Sequence, residues 1–92
     1  MLTLTTDAIQ AVQYLTADSP EAGLRISQKS ADGESVQLGT EIAEHPLPND
    51  QVIEQDGCRV FVEGVVAPRL EQRTLDVQPM GEDPKYVRFM LM

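Results

Sequence analysis

The side chains able to do chemistry in these 92 residues are few: one histidine, His45, one cysteine, Cys58, and an excess of carboxylates. His45 lies beside Glu44 in a proline-rich stretch, His45-Pro46-Leu47-Pro48. A general base needs a nucleophile within hydrogen-bond reach and a group that orients it. The local sequence offers neither, so His45 reads as an exposed loop residue. Cys58 directly follows Asp56-Gly57 and shares a strand face with Val60 and Val62. That is the setting of a buried, inert thiol; the competing reading is a redox-active or intermolecular one. Glu41, Glu44, Asp50, Glu54, Asp56, Glu82 and Asp83 lack the alternation of a calcium loop and read as a solvated acidic surface. Met80, Met90 and Met92 are soft-metal donors by type, but the last two alternate on a terminal strand, where packing accounts for them. The chain has no phosphate-cradling glycine loop, no G-x-S-x-G elbow and no H-E-x-x-H. From the residues alone, no catalytic, cofactor-binding or metal-ligating residue is assigned and no cofactor is implied. The chain reads as a binder and not an enzyme.

Charge narrows the partners. Seven Lys and Arg stand against fifteen Asp and Glu, a formal charge of −8. Such a surface repels a nucleic-acid backbone and an anionic membrane, so neither is expected as a partner. A protein partner of unknown identity, or a second copy in a homodimer, fits better. With Cys58 alone there is no intrachain disulfide and no four-cysteine metal site. The opening Met1-Leu2-Thr3-Leu4-Thr5 lacks the basic start and apolar core of a secretory leader. No apolar run approaches the roughly 20 residues that span a bilayer. The expectation is a cytoplasmic, acidic chain forming one domain over residues 1–92 around one modest core.

The elements follow from periodicity. Leu2-Thr3-Leu4-Thr5 alternates like a short strand. Thr5 or Thr6 then caps a helix whose Ala8, Ala11, Val12 and Leu15 fall on one stripe, with Asp7 in its first turn. Asp18-Ser19-Pro20 is expected to stop it. Everything beyond reads as strands: Leu24–Ser27, a turn at Ala31-Asp32-Gly33-Glu34, a strand with Val36, Leu38, Thr40 and Ile42 on one face, and then a loop over 45–50. Asp56-Gly57 between two β-rich runs predicts a two-residue hairpin with positive φ at both positions. Pro68 limits any helix over 65–70 to about one turn. Thr74–Val77 and Tyr86–Met92 complete the set. The sum is a β-rich α+β fold: a curled mixed sheet of about seven short strands, one N-terminal helix and a second short helical turn. Its core is expected to contain Leu4, Ile9, Val12, Leu15, Leu24, Ile26, Leu38, Ile42, Val60, Val62, Leu75 and Phe89.

The order of these segments resembles the HesB/IscA-like family of A-type iron–sulfur cluster carriers. Leu2 to Ile9 is similar to that family's opening strand and helix start, and Gly23-Leu24-Arg25-Ile26 to its next strand. Leu38 through Glu41-Ile42 to Asn49-Asp50-Gln51-Val52-Ile53-Glu54 and Asp56-Gly57 aligns to the family pattern without a gap. Val60-Phe61-Val62, Leu70 and Thr74-Leu75-Asp76-Val77 continue it, the last four resembling a Thr-Ile-Asp-Tyr strand. The resemblance spans nearly the whole chain and implies the family's fold.

Its departures bear on chemistry. Members hold iron or a cluster through three cysteines, one in a Cys-Ser-Gly-Phe turn and two in a C-terminal Cys-Gly-Cys. Here the turn reads Gly33-Glu34-Ser35-Val36, with glycine at the first ligand's place, and Met92 stands where the strand would lead to the pair. Cys58 matches none of the three. Thiolates are the usual cluster ligands, so the expected reading is a degenerate member acting through protein contacts, with the turn at Gly33 still exposed at the sheet's rim. The alternative is an iron or cluster carrier completed across a dimer by Cys58, which requires that thiol to be exposed.

Overall fold

Thr5 ends a two-residue strand, β1 (Thr3–Leu4), and begins the helix α1 (Thr6–Leu15). Its Oγ1 accepts from the Ala8 N–H at 3.1 Å and donates to Asp76 Oδ1 at 2.9 Å, so one hydroxyl caps the helix and fixes it to a distant strand. Asp7 adds a carboxylate to the first turn, where the macrodipole favours it. Ala8, Ile9 and Val12 are buried, while Ala11 and Leu15 are half-buried at the stripe's edge. The helix stops at Leu15, ahead of Pro20. The Thr16 hydroxyl and N–H both donate to Val12 O, at 2.8 and 2.9 Å, and close the last turn.

The computed structural model describes residues 2–32, 35–83 and 86–92, and the side chains of these outside residues 30–37. The remaining strands are β2 (Gly23–Asp32), β3 (Ser35–Ala43), β4 (Gln51–Gln55), β5 (Cys58–Val62), β6 (Thr74–Pro79) and β7 (Val87–Leu91). A 3-10 turn, Ala67–Leu70, carries Pro68 near its start, where the missing N–H costs nothing. The fold is the α+β class expected, with its strands shared between two mixed sheets, β3-β2-β5-β4 and β1-β6-β7. β1 pairs parallel with β6 and β2 parallel with β5; the other pairings are antiparallel. Asp56 (φ 52°) and Gly57 (φ 82°) form the two-residue turn between β4 and β5. The Asp56 carbonyl accepts from Gln13 Nε2, joining that hairpin to α1.

Eight of the expected core residues are buried: Leu4, Ile9, Val12, Leu24, Ile26, Val60, Val62 and Leu75. Leu38 and Phe89 are half-buried against them, and Leu15 is half-buried as well. Ile42 corrects the expectation at 42% exposed. It shares the core-side face with its partner Leu24, but β3 is an edge strand and Ile42 lies near its end, with a neighbour on one side only. Phe61 is the converse. It lies on the opposite face of β5 from Val60 and Val62 and is nonetheless fully buried. Alternation places a side chain on a face; it does not say that β5 is covered on both. Val66 and Leu70, beside the 3-10 turn, also enter the core.

Candidate functional site

The fold puts Cys58 at the start of β5, a central strand, beneath the hairpin turn and among Val60, Val62 and the helix stripe. The residue is 1% exposed. Burial in apolar surroundings disfavours the thiolate and pushes the thiol up to about 11. This corrects the alternative in which Cys58 completes a metal or cluster site across a dimer. A core thiol cannot reach a two-fold axis at the surface, and it keeps its proton at neutral pH.

His45 is exposed, as its loop position implies. It borders an open cavity of about 360 Å³ with Ser19, Pro20, Glu21, Ala22 and Glu44, between the loop after α1 and the loop after β3. Among the described residues no three His, Cys, Asp or Glu side chains converge as a metal site. Gly33 and Glu34, the turn at the first ligand's place in the family pattern, lie outside the described residues.

The chain's strongest electrostatic arrangement lies elsewhere, on Arg25 of β2. Its Nε and Nη2 donate to Asp50 Oδ2 and Oδ1 at 3.0 and 3.1 Å, a bidentate pair. Glu63 Oε2 stands 3.7 Å from Nη2. The Asp50 side chain is 1% exposed and Oδ2 also accepts from the Leu47 N–H at 2.8 Å. Burial pushes the Asp50 carboxyl up, but the Arg25 guanidinium and the Leu47 N–H outweigh it and hold it below its ordinary value. Arg25, hydrogen-bonded to Asp50, is held above its own despite burial. The pair ties the proline-rich loop to β2. Its oxygens are occupied in doing so, so it is a clamp and not a general base. Sequence reasoning did not find it, because 25 residues separate the partners and no local pattern links them.

A cluster needs several thiolates, or thiolates with imidazole, converging on one centre. The described residues do not fit one: the thiol is packed into the core and His45 stands apart from it in an exposed loop.

The architecture is the HesB/IscA-like fold. It superposes on Escherichia coli SufA, involved in biosynthesis of iron–sulfur clusters, with a TM-score of 0.80 and 24% identity, over 99% of this chain and 78% of that one. IscA with a [2Fe–2S] cluster gives 0.75 and 22%, over 100% and 84%. A protein of Aquifex aeolicus gives 0.70 and 19%, over 99% and 89%. No family model matches the sequence. A curated relative does: the uncharacterized protein blr1755 of Bradyrhizobium diazoefficiens is 31% identical over 78 residues, 83% of this chain and 74% of that one. The chain belongs to one family with that protein, and its fold is HesB/IscA-like. No helix among the described residues is long and apolar enough to cross a membrane.

Proposed function

We propose that these residues form a non-enzymatic HesB/IscA-like domain, related to iron–sulfur cluster assembly proteins, that binds no cluster of its own and acts through contacts with other proteins. The observation that carries this reading is the state of its one cysteine. On a fold shared with a [2Fe–2S]-binding IscA, the thiol is 1% exposed and protonated, and glycine occupies the first ligand's place in the family pattern. Retaining the core while the donors are absent fits a fold kept for its surface. The charge of −8 favours protein partners over nucleic acid or an anionic membrane, and a cytoplasmic setting suits the unpaired thiol. The test is anaerobic reconstitution with iron and sulfide, followed by desalting and visible absorption. The expected product is colourless; a stable brown holoprotein overturns the reading.

A further inference from the structure

The backbone hydrogen bonds of the second sheet decide which way each residue of β7 faces. Thr74 and Met92 exchange both of theirs, N–H to O at 3.1 and 2.8 Å, and Met80 N–H donates to Tyr86 O at 2.7 Å. In an antiparallel ladder such pairs alternate. Tyr86, Arg88, Met90 and Met92 therefore direct their backbone polar groups at β6 and its flanks, and Val87, Phe89 and Leu91 direct theirs to the outer edge. Among the described residues that edge has no strand beside it. Natural edges are usually guarded by charge, proline, bulges or brevity. β1 has two residues, β3 carries Glu41 and β4 carries Glu54. β7 has no carboxylate, no proline and no register shift, and Arg88 is its one charge.

We infer that this edge pairs with a second copy of the chain, β7 against β7 across a two-fold axis, with Phe89 opposite the partner's Phe89. The geometry selects both occupant and register. Only residues with outward backbone groups can exchange bonds across the axis, so Val87, Phe89 and Leu91 must face one another. With Phe89 on the axis, each of them finds a partner, Val87 meeting the partner's Leu91. A shift by two residues in either direction leaves Val87 or Leu91 without one, and one of those shifts sets Arg88 against the partner's Arg88, a like-charge pair that destabilises. A shift by one turns the core-side face of one copy toward the solvent side of the other.

The side chains agree with the backbone. In this register Tyr86 lies opposite the partner's Met92 at both ends of the ladder. These are two of the large apolar residues the chain leaves exposed, at 65% and 59%. Between them Arg88 lies against the partner's Met90. Each copy carries −8, so a symmetric contact must avoid carboxylates, and this edge strand does. A strand edge buries less than the roughly 1,600 Å² of a standard interface, so the dimer dissociates on dilution. The inference rests on the fold and not on the absence of a cluster.

Sedimentation of the intact chain from micromolar to near-millimolar concentration is expected to show a monomer–dimer equilibrium; a single-chain mass throughout overturns the proposal. Two exposed-residue variants read the register. Tyr86→Glu with Met92→Glu places like charges opposite each other and is expected to abolish the dimer, whereas Tyr86→Lys with Met92→Glu places opposite charges there and is expected to keep it. A dimer that survives the first or is lost in the second refutes the pairing. In the third arm, Tyr86→Cys and Met92→Cys chains are mixed and oxidised. Opposed residues of a non-hydrogen-bonded pair sit with Cα atoms about 4.5 Å apart, within disulfide reach. Crosslinking in the mixture but in neither chain alone is expected; its absence, or crosslinking of one variant alone, overturns the register.

Discussion

Thiol accessibility decides between a core cysteine and a ligand, and the structure sets how large the difference must be. In the folded chain Cys58 is 1% exposed, and burial raises its thiol from an ordinary 9.0 to about 11. Depletion of thiolate alone would slow a disulfide reagent at neutral pH by about a hundredfold, since each unit of pKa is a factor of ten. A bulky aromatic disulfide must also reach the sulfur. Cys58 pairs with Gln55 across the Asp56-Gly57 turn, and Gln13 of α1 holds that turn. Exposure therefore requires β4 and α1 to separate from β5, an opening close to global unfolding. For a small domain that costs on the order of 5 kcal/mol or more, or at least about 10³-fold in the population that reacts. The assay compares the rate of thiol modification in buffer with that in concentrated denaturant, under excess reagent. The expected ratio is about 10³ or greater, and it should grow smaller as subdenaturing urea promotes opening. A slowdown of only about a hundredfold would mean the reagent reaches the sulfur in the folded state. A ratio within tenfold would mean the thiol is exposed, and the argument against a Cys58 ligand would fail.

The same thiol gives a pH dependence of definite sign. Its folded pKa lies above its unfolded one, so its contribution to stability is complete below the unfolded value, about 9, and is lost as pH rises through 11. Denaturation from pH 8 to 11 should show a loss on the order of 2 kcal/mol in excess of that of Cys58→Ala; parallel curves would exclude it. Asp50 works in the opposite direction, its folded pKa being depressed, so its contribution is present above the unfolded carboxylate value near 4 and is lost as pH falls through the folded one. Asp50→Asn leaves the buried Arg25 with only the more distant Glu63 and should cost about 3 kcal/mol at neutral pH; a urea midpoint unchanged from the parent refutes the clamp. Val60→Ala, at a fully buried site, should cost about 2–4 kcal/mol, whereas Ile42→Ala on the β3 edge should cost under about 1. Equal losses would place the two faces wrongly. Gly57→Val forces a β-branched residue to φ 82° and should cost about 1–3 kcal/mol, with Gly57→Asn losing much less; equal stability of the two variants would contradict the turn.

Local rules reached as far as local physics does. The Thr5 cap, the helix stripe, the Asp56-Gly57 turn and the alternation of Val60 and Val62 are each set by neighbours within a few residues, and each is where the residue types place it. The helix end was legible only in part: Pro20 is a strong breaker, but the Thr16 hydroxyl closed the last turn first. Strand pairing lies beyond such rules. Nothing in Leu24-Arg25-Ile26 says that β2 runs on to Asp32, or that it lies between β3 and a parallel β5. Ile42 and Phe61 show the consequence, since both belong to alternating strands and their burial depends on which strand is central. The Arg25–Asp50 clamp is of the same kind. Its energy comes from convergence across 25 residues, and an arginine between Leu24 and Ile26 gives no sign of its partner.

The cysteine ties these levels together. Its position in sequence, directly after a turn and in step with Val60 and Val62, already implied an inward-facing side chain. What sequence could not supply is that β5 is central, with β2 on one side and β4 on the other, so that no edge offers the sulfur a way out. A ligand must be deprotonated and must share a centre with other donors. Cys58 is held by its strand away from both conditions, and the exposed chemistry of the fold is left to backbone and apolar groups along β7. If chains of this family still meet other proteins or one another, the physics of the described surface favours strand-edge hydrogen bonding over metal coordination as the means. The two make opposite forecasts for one simple treatment. A metal-bridged dimer falls apart in chelator and persists when Tyr86 and Met92 are both changed to Glu. An edge-paired dimer ignores chelator and is lost in that double variant.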